Sequence, residues 1–85
     1  MTKYYVGKIR ELNGGMEYDT VIVFAVSLPY KPEKTMEKIT QGWRGDETTV
    51  YDKAAGGYWS DDSLISGRGF KEIPKEDFDV LVKYL

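Results

Sequence analysis

The feature that most constrains this chain is Asn13-Gly14-Gly15, set between two long runs of β-forming residues. A tight type I′ hairpin needs positive φ at both central positions, which Asn and Gly tolerate best. Lys3 to Leu12 is dominated by β-formers, interrupted only by Gly7, and reads as the first strand. Met16 to Ser27 reads as the return strand. On it Tyr18, Thr20, Ile22, Phe24 and Val26 face one way, and Asp19, Val21, Val23 and Ala25 the other. Both faces turn apolar after Thr20. That is the pattern of a central strand covered on both sides, the second cover being a helix or another copy of the protein.

Leu28-Pro29-Tyr30-Lys31-Pro32 ends the strand. Pro32 suits the first turn of a helix, where its missing N–H costs nothing. The helix is predicted over Glu33 to Gln41, with Met36, Ile39 and Trp43 as a narrow apolar stripe and Gly42 at its end. Glu33 and Glu37 near its start and Lys38 near its end suit the helix dipole. Residues 44–57 read as an irregular loop holding one weak strand around Thr48-Thr49-Val50-Tyr51. Tyr58-Trp59-Ser60 is a short strand, Asp61-Asp62 a turn, and Leu64 to Glu72 a longer strand. In the last of these Gly67 and Gly69 flank Arg68, as at a bulge or a close backbone approach. Pro74 is expected at the first position of a final helix striped by Phe78, Leu81, Val82 and Leu85. The order, β-β-α-β-β-α without the weak strand, predicts one α+β domain over residues 1–85. Its antiparallel sheet has four to five strands, with two helices packed on one face.

A chain of 85 residues buries only about 60% of its unfolded surface. It contains no cysteine and no histidine. It therefore forgoes disulfide and cysteine–zinc staples and the two side chains most readily recruited for nucleophilic and acid–base chemistry. The net charge is -2, from 12 basic and 14 acidic residues, too mild for a basic nucleic-acid binder or a global DNA mimic. The acidity is concentrated. Residues 46–63 carry Asp46, Glu47, Asp52, Asp61 and Asp62 against Lys53. The longest apolar stretch, Val21 to Val26, falls far short of the roughly 20 residues of a membrane helix. The N-terminal residues lack the layout of a signal peptide. The expectation is a soluble cytoplasmic chain with no membrane and no direct nucleic-acid partner.

The aromatic residues outnumber what a small core readily takes in. Tyr51, Tyr58 and Trp59 lie beside the acidic segment and are the candidate anchors of a partner-binding patch, rimmed by Asp46, Glu47, Asp61 and Asp62. Against this stands a plainer assignment, in which tryptophans plug the core and the acids keep a loop solvated. Trp43 belongs to the core stripe by its helical spacing. Tyr58 and Trp59, as strand neighbours, must point to opposite faces. A second candidate site pairs Arg68 and Lys71 as a phosphate grip. The glycines around Arg68 are not a phosphate loop, because a strand rather than a helix follows them. Asp61-Asp62 lacks the spacing of a calcium loop. No catalytic residue, metal site or cofactor is expected.

Four segments carry a resemblance: Tyr5-Val6-Gly7-Lys8-Ile9-Arg10-Glu11, Gly42-Trp43-Arg44-Gly45, Gly56-Gly57-Tyr58-Trp59 and Glu72-Ile73-Pro74-Lys75-Glu76-Asp77-Phe78-Asp79. In layout the chain resembles small accessory proteins of bacteriophages and mobile elements, of the anti-CRISPR and counter-defence type. The resemblance implies inhibition by binding. The expected function is a non-enzymatic protein that binds and inhibits a host defence component, such as a CRISPR effector, in the bacterial cytoplasm. Two alternatives stay open. One is an oligomeric sponge that holds a nucleotide signal through Arg68 and Lys71. The other is a small regulatory module whose role is dimerisation.

Overall fold

The computed structural model describes residues 1–45 and 49–85. Its elements are β1 (Thr2–Asn13), β2 (Met16–Ser27), α1 (Pro32–Gln41), β3 (Val50–Asp52), β4 (Gly57–Ser60), β5 (Ser63–Ile73) and α2 (Lys75–Tyr84). The five strands form one antiparallel sheet in the order β2-β1-β5-β4-β3. The α+β class and the antiparallel sheet are as the sequence predicts. No helix among the described residues is long and apolar enough to cross a membrane.

The first hairpin closes at the pair Asn13–Met16, with Gly14 (φ 55°) and Gly15 (φ 84°) in its two central positions. Both carry the positive φ that a type I′ turn demands. β4 and β5 are joined as tightly, Ser60 pairing with Ser63 across Asp61-Asp62, with Asp61 at φ 53°. Asp tolerates this left-handed conformation better than most residues. Along β1 the pairing with β5 slips by one residue between Gly7 and Ile9, so Arg68 and Gly69 together face Lys8. Gly69 takes φ 112° in this bulge.

Three expectations need correction. β2 is an edge strand, not a central one. Its two-sided apolar pattern comes from partial cover: Ile22, Phe24 and Val26 turn toward the core, whereas Val21 stays exposed on the other face. The helices lie on opposite faces rather than one. α1 sits over the face of Tyr5, Gly7 and Ile9, where Met36 Cε would stand 3.4 Å from a Cβ built on Gly7. α2 lies across the alternate face, its Phe78 ring 4.8 Å from Tyr4. Finally, Pro74 caps α2 from outside instead of opening it, at an extended φ of -64° and ψ of 154°. By contrast Pro32 does occupy the first turn of α1.

The core lies between the sheet and α1. Tyr5, Ile9, Phe24, Val26, Met36 and Ile65 are buried there, with Ile22, Ile39, Trp43 and Phe70 packed against them. Tyr5, Phe24 and Phe70 form a three-ring cluster with centroid separations of 5.4, 5.6 and 5.9 Å. Such ring pairs each contribute about 0.5–1.5 kcal/mol beyond the area they bury. The end of α1 is tied to β1 by one carboxylate. Glu11 accepts from the Trp43 indole at 2.7 Å and from the Arg44 guanidinium at 2.7 Å. Trp43 is thus half-buried against the core, as its spacing predicts.

Glycine lets the layers approach. A Cβ on Gly67 would stand 3.0 Å from Thr40 Oγ1 and 3.3 Å from Met36 Cε. On Gly57 it would stand 2.6 Å from the carbonyl oxygen of Ile65, which belongs to backbone and has little room to move. Gly57→Ala is therefore expected to destabilise the domain by about 2 kcal/mol, within the range for overpacked sites. Thermal unfolding reads this directly, and an unchanged midpoint would mean that β4 shifts off β5 without cost.

Candidate functional site

Strand alternation distributes the aromatic residues of the C-terminal half. Tyr51 pairs with Tyr58, and Tyr58 with Ile65, which points into the core beneath α1. Both tyrosines therefore lie on the α1 face, their ring centroids 5.1 Å apart and tilted by 57°. Trp59 pairs with Leu64 and Val50 and lies on the other face. The sheet thus separates two of the three aromatic anchors from the third.

A cleft of about 630 Å³ opens between α1 and β3–β5, on the face of the tyrosines. Its walls are Tyr51, Tyr58 and Phe70 on the sheet side, and Glu33, Met36, Glu37 and Thr40 on the helix side. Gly56, Gly57, Gly67 and Gly69 complete it, and at Gly67 the missing side chain leaves room for Thr40 and Met36 of α1. Glu33 and Glu37 are one helical turn apart, which sets both on one side of α1. The Tyr58 hydroxyl donates to Glu37 Oε1 at the long distance of 3.5 Å. Burial, and then the neighbouring Glu37 charge, push the Tyr58 phenol above its usual 10.0. It therefore keeps its proton through neutrality and remains a donor. Glu37 also lies 3.7 Å from the exposed ammonium of Lys34. Glu33 forms no ion pair with a described residue. Among the described residues, no basic side chain lines the cleft.

The other candidates fall elsewhere. Asp61 and Asp62 are exposed at the tip of the β4–β5 hairpin and do not line the cleft. Asp46 and Glu47 lie outside the described residues. Arg68 and Lys71 are exposed on strand β5. Lys71 pairs with Val6 and Arg68 stands in the bulge opposite Lys8, on the face away from the tyrosine cleft. A phosphate held there would not meet Tyr51 or Tyr58 in the same protomer.

Sequence reasoning missed Glu33, Glu37 and Phe70. In sequence the two glutamates suit the helix dipole, and Phe70 is one more apolar residue within the strand Leu64 to Glu72. The available signal was their place in sequence. Glu33 and Glu37 flank Met36, so a helix that buries Met36 must set them at the rim of whatever lies beside it.

Asp52 has a structural task of its own. Its Oδ2 accepts from the Trp59 indole at 3.0 Å, and its Oδ1 from the backbone N–H of Ala54 at 3.0 Å and of Ala55 at 3.2 Å. The Trp59 bond first, then that from Ala55, hold the carboxyl below its usual 3.8. A carboxyl with a depressed native pKa contributes stability above its unfolded pKa, and loses it as pH falls through the native value. In a Trp43→Phe background, Trp59 emission is expected to change with a midpoint below pH 3.8. Asp52→Asn is expected to remove that transition. A midpoint at or above 3.8 in the parent would mean that the Trp59–Asp52 bond does not hold in solution.

No family model, curated protein or solved structure matches the chain.

Proposed function

We propose that the chain is a non-enzymatic binding domain that grips a cationic group of a partner protein, an arginine or lysine side chain, in the cleft between α1 and β3–β5. One observation carries this: Tyr51, Tyr58 and Phe70 face two glutamates in a cleft with no basic residue on its walls among those described. Aromatic faces attract a cation by about 0.5–2 kcal/mol depending on desolvation, and carboxylates add directed, charge-assisted hydrogen bonds. An anionic ligand would meet only like charge there. The absence of histidine and cysteine from the sequence supports binding over catalysis. On the resemblance in layout to counter-defence proteins, the partner is proposed to be a host defence component such as a CRISPR effector. The basic nucleic-acid groove of such a protein would supply the cation.

The test has two levels. Calorimetry should show binding of a short arginine-containing peptide, weakened by salt, and none of its glutamate counterpart. In cells carrying a CRISPR effector, expression of the chain should restore phage growth. Tyr58→Ala combined with Glu37→Lys should abolish the effect, while Asp62→Lys leaves it intact. Loss of inhibition in Asp62→Lys, with the cleft variant still active, would move the site to the hairpin tip.

A further inference from the structure

The two edges of the sheet are built differently. β3 exposes an edge of three residues, Val50–Asp52, which ends in a carboxylate. The opposite edge is β2, with 12 residues. Natural edges are blunted by lysine, proline, bulges or shortness, because an open row of N–H and C=O groups invites another strand. From Thr20 to Ser27, β2 has no charged residue and no proline. Its pairing with β1 runs without a register shift from Asn13–Met16 to Thr2–Ser27, so no bulge bends it away.

The outward-facing groups can be assigned. The Leu28 N–H donates to the Met1 carbonyl, which makes the even-numbered residues the ones bonded to β1. By antiparallel alternation, the backbone groups of Asp19, Val21, Val23 and Ala25 point to the free edge, whereas the Ser27 carbonyl already accepts from the Tyr30 N–H at 3.0 Å. β2 and the helix that reaches it both carry uncovered apolar side chains. Val21 is 42% exposed. α2 leaves β5, passes over Tyr4 and reaches β2. On it Val82 and Leu85, two members of its apolar stripe, remain 51% and 61% exposed.

We propose that two copies of the chain pair antiparallel along β2, about a twofold axis at Val23. The charge pattern selects this register. Centred on Val23, Val21 faces Ala25 of the second copy, Ile22 faces Phe24, and Asp19 faces the uncharged Ser27. Centring on Val21 would set Asp19 and Glu17 against Val23 and Ala25. Centring on Ala25 would run Val21 into Pro29, which has no N–H to donate. In the Val23 register the facing pairs Val21–Ala25 and Val23–Val23 present the groups left open by β1. The two sheets join into one of ten strands. This association is independent of what the tyrosine cleft binds.

Sedimentation equilibrium from low micromolar to millimolar protein is expected to show a particle of twice the 9.7 kDa monomer mass. Hydrogen exchange should then show the amides of Val21, Val23 and Ala25 slowing with protein concentration, while those of Ile22 and Phe24 stay slow throughout. Val23→Lys and Val23→Glu should each be monomeric, and an equimolar mixture should recover the dimer, because position 23 faces itself. A protein monomeric at all concentrations would overturn the proposal. So would a dimer whose odd-numbered β2 amides exchange freely. The exchange measurement on the parent protein decides the matter even if a variant fails to fold.

Discussion

Reversing both cleft carboxylates together, Glu33→Lys with Glu37→Lys, is expected to weaken capture of an arginine-containing peptide by about 100-fold. Each carboxylate is asked to supply about 1.4 kcal/mol, a factor of ten. That is modest for charge-assisted contacts and consistent with positions that water still reaches. The fold should survive, since a lysine for Glu33 in the first turn of α1 costs only about 0.3–1 kcal/mol against the dipole, and Glu37 lies beyond that turn. Circular dichroism checks that point. Tyr58→Ala alone should cost about 1 kcal/mol of binding, the aromatic share. Asp61→Lys with Asp62→Lys is the matched control, with the same change in net charge at the hairpin tip. If control and cleft variants weaken binding equally, long-range charge rather than the cleft governs capture.

The largest effect on stability is expected at Ile65→Ala. Ile65 is fully buried, at 0% exposure, on the strand at the centre of the sheet order. Truncating a buried isoleucine removes transfer free energy and leaves a cavity, together about 2–5 kcal/mol. A domain of this size is expected to hold only about 4–13 kcal/mol in total, at 0.05–0.15 kcal/mol per residue. The variant should therefore unfold at least about 8 °C lower, since each kcal/mol shifts the midpoint by roughly 4–8 °C in so small a domain. Val80→Ala, on the exposed side of α2 at 55% exposure, should change stability by less than about 0.5 kcal/mol. Equal effects at the two positions would mean that the core is not centred between α1 and the sheet.

What the sequence made legible is what local chemistry dictates. The first hairpin was marked by its glycines, α1 by Pro32 and the Met36-Ile39-Trp43 stripe, and the bulge in β5 by Gly67 and Gly69. Strand order is a different kind of information. β1 joins β5 across most of the chain, and no residue near Val21 to Val26 signals that β2 is left at the edge. An apolar two-sided strand ordinarily lies in the middle. Here it lies outside, with α2 laid over only part of it. The helices were expected on one face because sequence order does not encode the side on which each crosses. The site shows the same division. Tyr51 and Tyr58 stand out in the sequence as aromatic residues beside the acidic segment, and alternation requires Trp59 to part from Tyr58. The acids chosen with them were those nearest in sequence. Those that line the cleft come from α1, more than a dozen residues earlier, and only the folded chain brings them to the tyrosines.

The measurement that bears most directly on the cleft is an amide and indole chemical-shift titration of isotope-labelled protein with an arginine-containing tripeptide. The account predicts saturable shifts at Tyr51, Gly56, Gly57, Tyr58, Gly67 and Gly69, the residues around the cleft, with the Trp59 indole on the opposite face unmoved. Shifts centred on Trp59 and the Asp61-Asp62 turn, with the cleft silent, would contradict it.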